Sequence, residues 1–147
     1  MGAALERKDW MGLLARAPAA RLRALWSDLD AGGEVTWLRP PEVGAVMVRG
    51  RAGATGAPFN LGEMTVTRCA LQLPCGTVGH GYVQGRDKAK AEVAARVDAL
   101  MQTEAAARVR AAVLDPLGAE MQAAARARAE KAAATKVEFF TMARGED

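Results

Sequence analysis

Apolar residues recur at helical spacing near the N-terminus, then switch to alternation. Trp10, Leu13, Leu14 and Ala17 fall at i, i+3, i+4 and i+7, which predicts a first helix over residues 5–17. Pro18 ends it and suits the first turn of a second helix, where Leu22, Leu25, Trp26 and Leu29 repeat the spacing up to Gly32-Gly33. Glu34–Arg39 then alternates as a strand, Pro40-Pro41 interrupts, and Ala45–Arg49 predicts a second strand. Met64–Leu73 is a longer run of β-formers, Pro74–Thr77 is a turn signal, and Val78–Val83 pairs back as a hairpin. Four successive strands with short links predict an antiparallel sheet rather than βαβ units. Asp87 is a candidate N-cap for a helix whose face carries Val93, Val97, Leu100 and Met101 and which runs to about Leu114. Pro116 breaks that run, and residues 118–134 predict a second, Ala-rich helix. The expected fold is α+β in a single domain over residues 1–147: an N-terminal helical hairpin, a four-stranded antiparallel sheet and two long C-terminal helices.

Composition adds a reason to look for a partner. The chain holds 33 Ala but only 13 Leu, 12 Val and no Ile, and burying Ala removes little area from water. Yet the C-terminal segment 136–147 concentrates Phe139, Phe140, Met142 and Arg144, where termini are ordinarily polar. These side chains either fold back or dock into another protein. The small supply of bulky core residues favours a docking tail.

Charge excludes more than it suggests. The net charge is +3, and the cations are spread along the chain, so no nucleic-acid partner is implied. Fifteen of the 20 cations are Arg, a bias that matches the Ala- and Gly-rich, Ile-free composition and lowers the weight of any single Arg. The charged start Met1–Trp10 does not read as a signal peptide. The longest uncharged stretch, Cys69–Gly85, is broken by Pro74 and four glycines and predicts no membrane span. Two cysteines are too few for a disulfide scaffold, so a reducing cytoplasm is the expected location.

The candidate chemistry is anion binding. Arg49–Gly56 looks like a phosphate cradle but lacks the P-loop spacing and its Lys-Ser/Thr, which leaves a flexible loop as the plainer reading. Arg68 shares a strand face with Met64 and Val66, where it needs a carboxylate, a phosphate or a partner, unless that face meets solvent or Glu63 or another acid pairs with it. Arg86 stands at a strand-to-helix junction, where a helix N-terminus attracts anions, although simple capping by Asp87 is the plainer reading. His80 has no identifiable orienting partner. The spacing of Cys69, Cys75 and His80 matches no standard zinc pattern, so no metal is expected. No catalytic residue can be named.

Taken together, the segments resemble the PhnG family, a subunit of the bacterial carbon–phosphorus lyase core complex. The resemblance rests on Arg7–Met11, Leu38-Arg39, Glu42–Gly44, Arg51–Gly56 with Phe59, and Gly62-Glu63. It continues through Thr65–Arg68, Val83–Lys88, Asp98–Met101, Asp115–Leu117 and Phe139–Gly145. It implies work alongside PhnI-, PhnH- and PhnJ-type subunits and a PhnL-type ATPase-like protein. The implied reaction transfers the ribose 5-triphosphate of ATP to methylphosphonate with release of adenine. A radical S-adenosylmethionine subunit, PhnJ, then breaks the carbon–phosphorus bond. ATP would be a substrate of the complex, and this chain itself would bind no cofactor. Within that frame Arg51, Arg68 and Arg86 are expected to line or flank an anionic site. A purely structural role, stabilising the PhnI-type subunit without touching substrate, is the alternative. The turn Pro74-Cys75-Gly76 departs from the Asp-Gly expected of the family, and His80 lies outside its pattern.

Overall fold

The computed structural model describes residues 4–53 and 55–144, with residues 137–144 described as backbone alone. Helices α1 (Arg7–Arg16) and α2 (Ala19–Leu29) lead into three strands, β1 (Thr36–Arg51), β2 (Pro58–Gln72) and β3 (Val78–Gln84). Helix α3 (Lys88–Leu100) follows, then the short α4 (Ala106–Val109), a π turn over Arg110–Leu114, and α5 (Asp115–Arg144). The class is α+β as expected, and the sheet is antiparallel in the order β1-β2-β3.

The sheet has three strands, not four. The two strands expected at 34–39 and 45–49 are one strand, with register shifts on either side of Arg39. Pro40 and Pro41 are tolerated because β1 is an edge strand, where a missing N–H leaves no ladder partner unsatisfied. A bulge absorbs the irregularity.

The expected helix from Asp87 to Leu114 is also revised. It stops at Leu100, because Thr103 donates its hydroxyl to the Leu100 carbonyl and accepts from Ala105 N–H, competing with the helical ladder. Pro116, in turn, does not break the chain's last helix. It falls in the first turn of α5, directly after the π turn, where the wider coil and unused N–H positions accommodate its ring. The second long helix therefore starts at Asp115 and reaches Arg144, so the backbone of the expected docking tail continues α5. The side chains of Phe139, Phe140, Met142 and Arg144 lie outside the described residues. The second helix stops at Asp30, which takes the left-handed conformation (φ 50°), two residues before the glycines expected to end it.

The core lies between one sheet face and the helices. Trp10, Leu14, Leu22, Leu25 and Leu29 bring the apolar stripes of α1 and α2 to Leu71, Val83 and Val97. Val109, Val113, Leu114 and Leu117 close it from the C-terminal side. Contact between α3 and β3 is unusually close. A Cβ on Gly79 would sit 2.1 Å from the Ala95 carbonyl, and one on Gly81 would sit 2.2 Å from that of Ala91. Alternate glycines on the strand thus face Ala91, Ala95 and Ala99, spaced by four on the helix, and backbone packs against backbone.

Two parts project from this body. Strand β3 pairs with β2 only from Val66 to Gln72, so the distal halves of β1 and β2 form a two-stranded arm. Beyond Met121, every side chain of α5 up to Lys136 is exposed.

Candidate functional site

The most constrained polar group is the Asp98 carboxylate on α3, which is fully buried. It accepts from Arg7 Nε at 3.0 Å and Nη2 at 2.7 Å, from Trp10 Nε1 at 2.8 Å, and from the backbone N–H of His80 at 2.8 Å. One carboxylate thereby joins α1, α3 and the outer edge of β3. Its lone pairs are occupied by the protein, and the Arg7 guanidinium is held even more firmly charged by it. This brace positions neighbouring elements, and the Asp98 carboxylate is spent on it.

On the sheet beside this brace lies an open concavity of about 610 Å³, lined among others by Met11, Leu38, Arg39, Arg68, His80 and Tyr82. Arg39 pairs in register with Ala70, and Arg68 with Tyr82. Arg68 Nε stands 4.0 Å from Glu42 Oε2, a long, exposed ion pair that leaves most of the guanidinium's donors unused. Arg39 has no carboxylate partner among the described residues. Two guanidiniums over an apolar floor, with the Tyr82 ring 42% exposed beside them, can hold an oxyanion through paired N–H donors.

The three arginines singled out from sequence are not gathered at one point. Arg68 is central to the concavity. Arg51 is in register with Pro58, ten residues before Arg68 on β2, which at the strand rise is about 33 Å away. Arg86 is exposed and follows Gly85, whose N–H donates to the Thr65 carbonyl at 2.9 Å. Next to it, Asp87 caps α3 by accepting from Lys90 N–H at 2.9 Å and pairs with Arg23 at 3.2 Å. Sequence reading missed Arg39 and Tyr82. The signal available was register: the unbroken β2–β3 hairpin sets Tyr82 beside Arg68 and His80 beside Ala70, and Arg39 joins them only once the bulges in β1 are counted.

The remaining reactive groups are apart from the concavity or silent within it. Cys69 is buried and donates to the Ala91 carbonyl at 3.3 Å, and burial pushes its thiol up to about 11. Cys75 is exposed at the β2–β3 turn, and its hydrogen bond with Thr77 lowers its pKa. Lys90 is buried with its Nζ donating to the Ala15 carbonyl near the end of α1, and desolvation lowers its pKa. No three His, Cys, Asp or Glu side chains among the described residues stand together as a metal set. No helix among them is long and apolar enough to cross a membrane.

Comparison with known proteins shows the family. The family model described as "Phosphonate metabolism protein PhnG" matches residues 5–145. A curated relative from Rhizobium meliloti (strain 1021) is 48% identical over 142 residues, covering 97% of this chain and 91% of its own length. That relative is named alpha-D-ribose 1-methylphosphonate 5-triphosphate synthase subunit PhnG. Pieces distant in sequence on which the family resemblance rested, Met11, Leu38-Arg39 and Arg68, come together around the concavity, and Asp98 fastens Arg7 and Trp10 beside them. The chain belongs to the PhnG family of phosphonate metabolism proteins.

Proposed function

We propose that this chain is a subunit of an alpha-D-ribose 1-methylphosphonate 5-triphosphate synthase. It would support transfer of the ribose 5-triphosphate of ATP to methylphosphonate, with release of adenine, in phosphonate breakdown in the cytoplasm. Its companions are PhnI-, PhnH- and PhnJ-type subunits and a PhnL-type ATPase-like protein. The observation that carries this reading is the 48% identity to the relative of that name across 97% of the chain. The geometry supports a share in the work rather than the whole of it, because the most buried carboxylate is fully engaged and the sole histidine lies exposed on the sheet.

In this reading the concavity contributes charge. A triphosphate and a phosphonate carry several negative oxygens, and Arg binds such groups through two parallel N–H donors. Arg68 acts at the centre, and Arg51 and Arg86 flank the site on surfaces completed by a neighbouring subunit. The tail from Lys136 onward, through Phe139, Phe140, Met142 and Arg144, docks on that neighbour. Replacing Arg51, Arg68 and Arg86 singly with Ala in the reconstituted complex tests the assignment. The expected result is slower ribosyl transfer with intact assembly. Unchanged kinetics in all three variants would leave only the structural role, in which the chain holds the PhnI-type subunit in its active shape. The bare faces of the distal arm and of α5 favour that second role.

A further inference from the structure

The arm formed by the distal halves of β1 and β2 is the least self-sufficient part of the molecule. Past Val66 it has no third strand, since the β2–β3 ladder ends at Gln84. Both its outer edges are therefore open: that of β1 from Val43 to Val48, and that of β2 from Phe59 to Glu63. A two-stranded ribbon is marginal in water, and native proteins usually blunt open edges with charge, proline or bulges. Pro40 and Pro41 guard the base of the arm and Pro58 its end, and no proline lies on either edge between them. The stretch from Val43 to Val48 is uncharged. The large apolar side chains are also turned outward: Val43 is 40% exposed, Met47 52%, Phe59 45% and Leu61 62%. The Leu61 bulge between the Val48–Gly62 and Arg49–Asn60 pairs adds to the apolar display.

Charge at the arm's end is one-sided. Arg49 and Arg51 occupy the last rungs of the ladder, opposite Asn60 and Pro58, and neither has a carboxylate partner among the described residues. These unpaired guanidiniums call for a partner that brings carboxylates, and a multi-subunit synthase offers such a partner in a different polypeptide. The chain's net charge of +3 weighs in the same direction, against a second copy of itself.

We propose that the arm seats in an apolar slot of a different polypeptide, whose strand pairs along an open edge of the arm and whose carboxylates meet Arg49. Main-chain pairing would give affinity and the side-chain pockets specificity. This rests on the reading of the chain as a complex subunit, and it assigns that subunit a second attachment point besides the tail.

The test uses the full chain co-expressed with the PhnI-, PhnH- and PhnJ-type subunits of the same genome. A photo-reactive phenylalanine in place of Phe59 should crosslink to a peptide of one of those subunits that carries Asp or Glu. The double variant Met47→Asp with Leu61→Asp, and the single variant Arg49→Glu, should each cut recovered complex at least about tenfold, as hot-spot substitutions do. The isolated variants should keep the melting temperature of the parent, since the arm lies off the core. Wild-type recovery of both variants overturns the arm proposal and leaves the subunit reading standing. A crosslink to a second copy of this chain also overturns the arm proposal alone. Failure of the parent chain itself to assemble overturns both.

Discussion

Arg7 and Asp98, 91 positions apart, meet in a two-pronged ion pair with separations of 3.0 and 2.7 Å. The carboxylate is fully buried while the guanidinium is 43% exposed, so the two partners are not equivalent. Asp98→Ala strips acceptors from Trp10 and from the edge of β3, and should cost about 3 kcal/mol in urea unfolding, near the figure for broken buried pairs. Arg7→Ala leaves a carboxylate that water can reach through the vacated channel and that still has two donors. It should cost about 1–2 kcal/mol. Equal losses would mean that the pair, rather than the carboxylate's other bonds, carries the energy.

Gly81 is a point where no side chain fits. Gly81→Ala drives a Cβ to 2.2 Å from the Ala91 carbonyl, so α3 must lift from the sheet. The expected loss is about 2–3 kcal/mol or more, in the range of overpacked cores. Gly44→Ala, on the exposed edge strand with nothing within 4 Å of the new Cβ, is the matched control and should change little.

The two thiols should separate cleanly. A thiol reagent near pH 8 should modify one cysteine in the native chain, Cys75, and two after denaturation, because Cys69 is buried and its pKa is raised to about 11. The raised value also has a pH consequence. Between its ordinary value of 9.0 and about 11, Cys69 keeps a proton that the unfolded chain has lost. Its contribution is complete below pH 9 and fades as pH rises through about 11. Cys69→Ala should remove that part of the alkaline decline, visible as a flatter stability curve above pH 9 in urea titrations.

Removing residues 136–147 should separate stability from assembly. Side chains of α5 from Gln122 to Lys136 are exposed and lie outside the core, so the truncated chain should melt within a few degrees of the parent. Its recovery with the PhnI-type subunit should be abolished. Full recovery would count against docking by the tail.

Periodicity revealed most of this architecture. The stripes Trp10–Ala17 and Leu22–Leu29 are the buried faces of α1 and α2, because each helix packs on the body along one side only. The merged β1 was hidden by Pro40-Pro41, since local chemistry cannot tell an edge strand, which tolerates proline, from a strand's end. The stop at Leu100 depends on one threonine's hydrogen bonds, and Thr103 carries no breaker signal of its own. The backbone contact of Gly79 and Gly81 with the Ala91, Ala95 and Ala99 series is written in the sequence as two matching periods, but only their pairing gives it meaning. For the concavity, Arg68 was legible as a charge on an apolar strand face. Arg39 and Tyr82 were not, because their proximity to it is set by strand register and bulges.

The π turn at Arg110–Leu114 fixes the azimuth of everything after it. Each residue of an α-helix advances the coil by about 100°, so an extra residue housed there turns the C-terminal helix by that angle relative to the body. Deleting a single position in this stretch would swing the whole outer length of α5 to a new bearing while the sheet stayed where it is. The phase of that helix, and with it the side it offers to another subunit, is thus decided by one local irregularity many ångströms from where contact would be made.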